Sequence, residues 1–290
     1  MYFIMTTDVE CHSFETNTRD EAVAKRVEQE ALPELLRLYR KHRIKSTFFF
    51  TVRFAELSPK SVMLVRKAGH EVGCHGYDHT DYYDQMAFEE QLALLKKCKT
   101  KLEKIAKTEI LSFRAPALRI NKSTVIALEK AGFRFDSSVS SQRIDGPFTL
   151  GAMNKLGWLY APRRPYYLSY KNPFLVGNSK VLEVPVSAFI WGFTGTHMRL
   201  SPVITAQLQR ILQLEARLMG KPIVFLFHPN ECLSFKRKRT EKRGSLFSDY
   251  LRHKLKMKNL GKTALELLDK LLSRCPQNTN FVTIKDYKPW

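Results

Sequence analysis

The chain has 290 residues, 44% of them hydrophobic and 11% aromatic, with 13 glycines and 13 prolines. This excludes a disordered or collagen-like chain and suits one large or two ordinary domains. Lys plus Arg total 48 against 28 Asp plus Glu, a net charge of +20 that calls for anionic partners. Residues 236–262 hold eleven Lys or Arg against Glu241 and Asp249, so +9 of that excess is local and +11 is spread over the rest. No run approaches the ~18 apolar residues of a membrane span. The start, MYFIMTTDVE, lacks a basic leader and a signal-peptide core, so the expected location is cytoplasmic. Five cysteines (Cys11, Cys74, Cys98, Cys232 and Cys275) are too sparse and uneven in number for a disulfide framework.

In chain order the predicted strands are Tyr2–Thr7, Ser46–Thr51, His70–Cys74, Leu111–Arg114, Phe133–Asp136, Val181–Val186, Ile223–Phe227 and Phe281–Ile284. Between them, Glu28–His42 carries Leu32, Leu35, Leu36 and Tyr39 at helical spacing, and Phe88–Lys107 carries Leu92, Leu95, Leu102 and Ile105. Ser201 caps a helix that opens on Pro202, runs to Met219 and stops at Gly220; Thr263–Leu272 is the last helix. Strand-then-helix repetition predicts parallel strands with helices outside. Seven or eight such units fit a closed barrel better than an open sheet. No Pro-, Gly- or Ser-rich linker divides the chain, so residues 1–290 are expected to form one domain with an inserted loop at about 140–180.

Chemically loaded residues follow the strands: Asp8 and Glu10, His75 to His79, Arg114, Asp136, and His228 to Glu231. Sites of strand–helix barrels gather at this end of the strands. The His-x-x-x-His spacing of His75 and His79 puts two imidazoles one helical turn apart, able to share a metal ion. Glu10 or Asp8 supplies a third ligand from the neighbouring strand. The plain alternative is two histidines on a helix surface. Asp8 and Glu10, two apart on an extended segment, point the same way, one for the ion and one for a proton. The alternative is an acidic pair decorating the rim. His228, after the apolar run IVFLF, either serves as a general acid across the pocket or is a satisfied buried histidine. Arg114 either fixes a catalytic carboxylate or pairs with Asp136.

The series T-x-D-x-E, S-T-F-F-F, G-H-E-V-G-C-H-G-Y-D-H, S-F-R-A-P, D-S-S and F-H-P-x-E resembles the polysaccharide deacetylases, carbohydrate esterase family four. The resemblance implies an α/β fold, a distorted (β/α)7–8 barrel. It implies a hydrolase of non-peptide amide bonds that removes N-acyl groups from amino sugars with a divalent metal, zinc first and cobalt, nickel or manganese after it. Carried over by residue, Asp8 matches the base, with Glu10, His75 and His79 as metal ligands. Arg114 matches the arginine that orients the base, the Ala117 amide an oxyanion donor, and His228 the general acid. Asp136 corresponds to an acid that supports that histidine or pairs with Arg114. The sequence departs from the usual pattern in two places: Val9 separates the two acids of the first motif, and R-A-P-A-L lacks the aromatic and glycine often found after its proline.

Tyr82, Tyr83 and Trp191 are candidate sugar-stacking rings. Cys11, Cys74 and Cys232 read as buried fillers, and His12 as a loop residue or an additional ligand. The basic segment Lys236–Lys262 either is solvated or holds phosphate of anionic lipid or of a lipid-linked sugar at the inner face of a membrane. Phe235, Phe247 and Tyr250 are too few for base stacking, so no nucleic-acid partner is expected. Beside the leading reading stand a deformylase acting on a polyprenyl-phosphate-linked amino sugar and a non-catalytic carbohydrate- or membrane-binding barrel.

Overall fold

The computed structural model describes residues 1–14, 18–144, 153–235, 254–255 and 257–288. Strand β1 (Tyr2–Val9) leads into α1 (Glu21–Arg26), a π turn (Val27–Ala31) and α2 (Leu32–Lys41), which run on as one helical segment. Then come β2 (Ser46–Phe50), α3 (Val52–Leu57), α4 (Pro59–Lys67), β3 (Glu71–Cys74) and α5 (Phe88–Ala106). The middle holds β4 (Ser112–Phe113), α6 (Lys122–Lys130), β5 (Phe135–Asp136), β6 (Tyr166–Tyr167) and β7 (Leu182–Glu183). A hairpin of β8 (Ala188–Phe189) and β9 (Trp191–Gly192) precedes α7 (Gly195–Leu200), α8 (Pro202–Met219), β10 (Ile223–Phe227), α9 (Lys262–Ser273) and β11 (Asn280–Phe281).

The main sheet runs β10-β1-β2-β3-β4-β5-β7-β6, parallel except for β6, with β11 also parallel against β1. Beyond β7 the chain curls back towards β10. The Ser187 N–H donates to Val224 O at 3.0 Å, and the Val224 N–H donates to Ser187 Oγ at 2.9 Å. The expected distorted (β/α) barrel is therefore present. The two-residue β6 and the β8–β9 hairpin were not anticipated; strands this short carry no readable alternation.

The pleat places the site. On β1, Phe3, Met5 and Val9 pack into the outer layer under the helices, while Ile4 joins Phe49 and Val224 in a separate inner cluster. Asp8 shares the parity of Ile4 and Thr6, so it faces inward at the carboxyl end of the strand. β2 obeys the same rule, with Phe48 and Phe50 outward and Phe49 inward. On β3, Gly73 leaves room for that ring: a Cβ there would lie 2.7 Å from Phe49 Cδ1.

Candidate active site

The inward residues turn from apolar to ionisable as the strands approach their carboxyl ends. Arg114, fully buried just past β4, lies with its guanidinium carbon 4.5 Å from the Phe49 ring centroid. Its Nη1–H donates to Asp8 Oδ1 at 2.7 Å and to Thr6 Oγ1 at 2.9 Å. Its Nε–H donates to Ser137 O at 2.8 Å, and its Nη2–H to Ser137 Oγ at 2.6 Å. Of the two readings of this arginine, the one that joins it to the carboxylate matches this geometry.

His75 follows β3 and is also buried. Its Nδ1–H donates to Arg114 O at 2.8 Å, which leaves Nε2 facing Asp8 Oδ2 at 3.8 Å and Glu10 Oε2 at 3.9 Å. Burial holds the imidazole below its ordinary range, against the raising effect of the two carboxylates. His79 Nδ1 contacts Glu10 Oε2 directly. The Glu10 charge lifts His79 above the usual histidine range. Burial works against ionised Glu10, yet His79, His228 and His75 together hold its carboxyl well below the ordinary value.

The two histidines are not on a helix. Gly76 between them takes φ 74°, a left-handed conformation, and residues 75–82 form a loop. Asp81 Oδ2 fixes this loop by accepting the Tyr77 N–H at 2.6 Å and the Asp78 N–H at 3.0 Å. Arg19 then ties Asp78 to the loop after β1 at 3.0 Å. His79 returns to Glu10 through this fold of the backbone rather than through a helical turn. His12 tilts over His79 with ring centroids 5.2 Å apart.

His228 follows β10. Its Nδ1–H donates to Glu231 Oε1 at 3.2 Å, one turn of 3-10 helix further on (Pro229–Cys232). Burial disfavours its charged form, but Glu231, Asp8 and Glu10 outweigh that and push it up to about 9. Glu231 is itself fully buried and contacts Arg199 of α7, which is equally buried. Burial opposes its charge, and Arg199 and His228 overcome this and hold it below the ordinary carboxylate value. Glu231 and Arg199 had no assigned role in the sequence reading. The readable signal was a glutamate three residues after a histidine, the reach of a 3-10 turn.

Asp136 does not support His228 and is not the hydrogen-bond partner of Arg114. It pairs in register with Phe113 and Glu183. It therefore sits on the sheet face opposite Arg114 and Ser137, one residue out of phase. There it accepts the Ser137 N–H at 2.9 Å and the Ser138 Oγ–H at 2.5 Å. Burial pushes Asp136 up to about 6, and burial together with the neighbouring Asp136 charge raises Glu183 well above the ordinary carboxylate value. Ser138 Oγ accepts the Ala115 N–H at 2.8 Å, fixing the start of the turn that carries Ala117. Ala117, at φ 52° and ψ 17°, is left-handed without being glycine, a strained turn at the rim.

The remaining candidates lie outside the acid–histidine cluster. Tyr82 carries the Arg119 guanidinium 4.2 Å from its ring centroid, and Trp191 stands edge-on to His197 at 4.6 Å. Tyr83 is buried against Phe113, 5.2 Å between centroids, and is core rather than pocket wall. Cys11 and Cys74 are buried, Cys232 is partly so, and burial pushes Cys11 up to about 12, which suits fillers rather than thiolate ligands. Lys236–His253 and Lys256 of the basic segment lie outside the described residues. Within its described end, Lys258 Nζ donates to Leu200 O at 2.8 Å and Lys258 O accepts from Arg199 at 2.7 Å.

As placed, no three His, Cys, Asp or Glu side chains among the described residues surround a common metal position. Glu10 closes on His79 instead. In kind the donors fit a divalent ion: two carboxylates and a neutral imidazole whose other nitrogen is fixed by a backbone carbonyl.

Fold and site together define a (β/α) barrel with a buried cluster of acids, histidines and arginine at its carboxyl rim. Residues 16–135 match the family described as polysaccharide deacetylase. A peptidoglycan deacetylase-like protein of Gibberella zeae is 34% identical over 170 residues, 56% of this chain and 46% of that protein. The peptidoglycan deacetylase of Helicobacter pylori is 31% identical over 108 residues, 37% of this chain and 36% of that one. The chain thus matches less than half the length of either curated relative. Among solved structures, a polysaccharide deacetylase of Mycobacterium smegmatis superposes with TM-score 0.63 at 17% identity, covering 97% of this chain and 87% of that one. This likeness supports the fold. No helix among the described residues is long and apolar enough to cross a membrane.

Proposed function

We propose that the chain is a hydrolase that removes the acetyl group from an N-acetylated amino sugar of a glycan. The observation that carries this is Asp8, fixed at 2.7 Å by buried Arg114, in a buried cluster with His228, whose charged form Glu231, Asp8 and Glu10 favour. One carboxylate is held ready to take a proton and one imidazolium to give one, as amide hydrolysis requires.

Asp8 acts as the general base that draws a proton from the attacking water. Arg114 holds its Oδ1 and leaves Oδ2 directed towards His75. The backbone N–H of Ala117, in its left-handed turn, donates to the oxygen on which negative charge builds. His228 then protonates the departing amine, and Glu231 holds the imidazole in the orientation that presents Nε2. Glu10, His75 and His79 would hold a divalent ion, zinc by choice of donors. Bound there, such an ion supplies positive charge that favours attack on an amide carbonyl.

The test is acetate release from N-acetylglucosamine oligomers and from peptidoglycan, with the chain supplied with zinc or cobalt. Asp8→Asn keeps the shape of the site and is expected to lower the rate by about 10²- to 10⁴-fold. Wild-type rates in this variant, or no acetate released from any N-acetylated glycan by the unaltered chain, would refute the reading.

A further inference from the structure

Helix α8 presents an outer face unlike that of the other long helix. On α5 the exposed positions are Glu89, Glu90, Ala93, Lys96, Lys97, Thr100 and Lys104, a charged, solvated surface with no large apolar side chain. On α8 the exposed positions include Val203 (72%), Ile204, Ile211, Leu214 (58%), Leu218 (76%) and Met219. Ile204, Ile211, Leu214 and Leu218 follow one another at seven, three and four residues and Val203 falls beside them, so these five share one side of the helix, while Leu208, Leu212 and Ala216 turn to the core. The polar residues exposed among them are Gln207, Arg210 and Arg217. The helix has a single acid, Glu215, and it is taken up by Arg163 at 2.5 Å and Lys221 at 2.8 Å. Arg163 also links this face to the β8–β9 hairpin, where Phe189 and Ile190 are exposed in turn. Five large apolar side chains exposed on one side of one helix exceed the scattered surface leucines of an ordinary monomer.

We infer that this face of α8 docks on an anionic lipid surface, with Ile204, Ile211, Leu214 and Leu218 entering the headgroup boundary and Arg210 and Arg217 pairing with lipid phosphates. Charge selects the occupant. The exposed charges on the face are all positive, on a chain of net charge +20, so a second copy would bring like charges together. Apolar side chains framed by arginines are the pattern of helices that lie in the plane of an interface. This inference is independent of the proposed reaction.

The experiment is sedimentation of the full chain with phosphatidylcholine vesicles, with and without phosphatidylserine, at low and at physiological salt. The unaltered chain is expected to sediment with the anionic vesicles, less so as salt rises. Arg210→Gln with Arg217→Gln lowers the partition by roughly fivefold for each arginine. Leu214→Glu with Leu218→Glu abolishes binding, while the melting temperature and circular dichroism stay those of the parent, since both sites are on the surface. Three results overturn the inference. One is no binding of the unaltered chain to anionic vesicles. Another is undiminished binding of the Leu214→Glu, Leu218→Glu variant, which moves the contact elsewhere, for instance to Lys236–Lys262. The third is a dimer in light scattering that the same variant dissociates, which makes the occupant a second copy.

Discussion

Glu231→Gln isolates the part of the site that keeps His228 protonated. The substitution preserves size and removes one negative charge lying between His228 Nδ1, at 3.2 Å, and the buried guanidinium of Arg199. In the unaltered chain His228 stands at about 9 rather than 6.5, a difference worth about 3 kcal/mol in favour of the charged ring. Glu231 is the first of the groups that raise it, ahead of Asp8 and Glu10. Losing an opposite charge at this range lowers such a value by about 1 to 3 pH units. A general acid works only while protonated, so the alkaline limb of kcat/KM for acetate release should fall near pH 9 in the parent. In the variant it should fall about 1 to 3 pH units lower, with the plateau below pH 6 less affected. Stability moves in the same sense. A histidine whose folded value lies above its unfolded one stabilises fully below pH 6.5 and loses that contribution as pH climbs through 9. The variant should show less of this slope. It also replaces the charged contact of Glu231 with buried Arg199 by a neutral one, expected to lower stability by urea denaturation. A folded variant whose alkaline limb coincides with that of the parent refutes the assignment of Glu231.

Arg114→Met removes the bonds to Asp8, Thr6 and Ser137 and leaves a buried carboxylate without its partner. Urea denaturation should show a loss of about 3 to 5 kcal/mol, and Arg114→Lys should not restore acetate release, since a point charge cannot bridge two strands with a planar fork. An unchanged midpoint in the methionine variant would contradict this account. His75→Ala deletes the imidazole whose Nε2 faces both carboxylates. Zinc retained after dialysis, measured by atomic emission, should fall by at least tenfold, and full retention would remove His75 from the ligand set.

The sequence made the long strands legible because their content is decided locally. YFIMTTDV, STFFF and IVFLF are apolar runs with fixed termini, and the structure places β1, β2 and β10 within two residues of the expected bounds. The strands β4, β5 and β7 lie within the apolar runs Leu111–Arg114, Phe133–Asp136 and Val181–Val186 but are only two residues long, so their bounds were not legible. The residues of the cluster were legible by type, but their connections were not. Spacing of four suggested a helix for His75 and His79, whereas Gly76 at φ 74° folds a loop that reaches Glu10 by another route. Phase on a two-residue strand cannot be read without the neighbouring register, which turns Asp136 away from the cluster, to Glu183. Arg199 reads as an ordinary surface arginine within GTHMRL. Its burial arises only when α7 meets the turn after β10.

That register also explains how the barrel tolerates so many ionisable groups at one end. Ile4, Phe49 and Val224 fill the interior from below, and Arg114 rests on the Phe49 ring as the first charged layer. The arginine exposes none of its donors: they reach Asp8, Thr6 and Ser137, on strands to either side, so the charge is matched before any water or ligand arrives. Gly73 is the quiet condition for this stacking, since a Cβ would lie 2.7 Å from the Phe49 ring and 3.2 Å from Ser112 O. Moving Phe49 would tilt the guanidinium that rests on it, and through it Asp8. The orientation of the proposed base therefore depends on an apolar contact below the site as much as on its own ion pair, and packing and chemistry here are one arrangement.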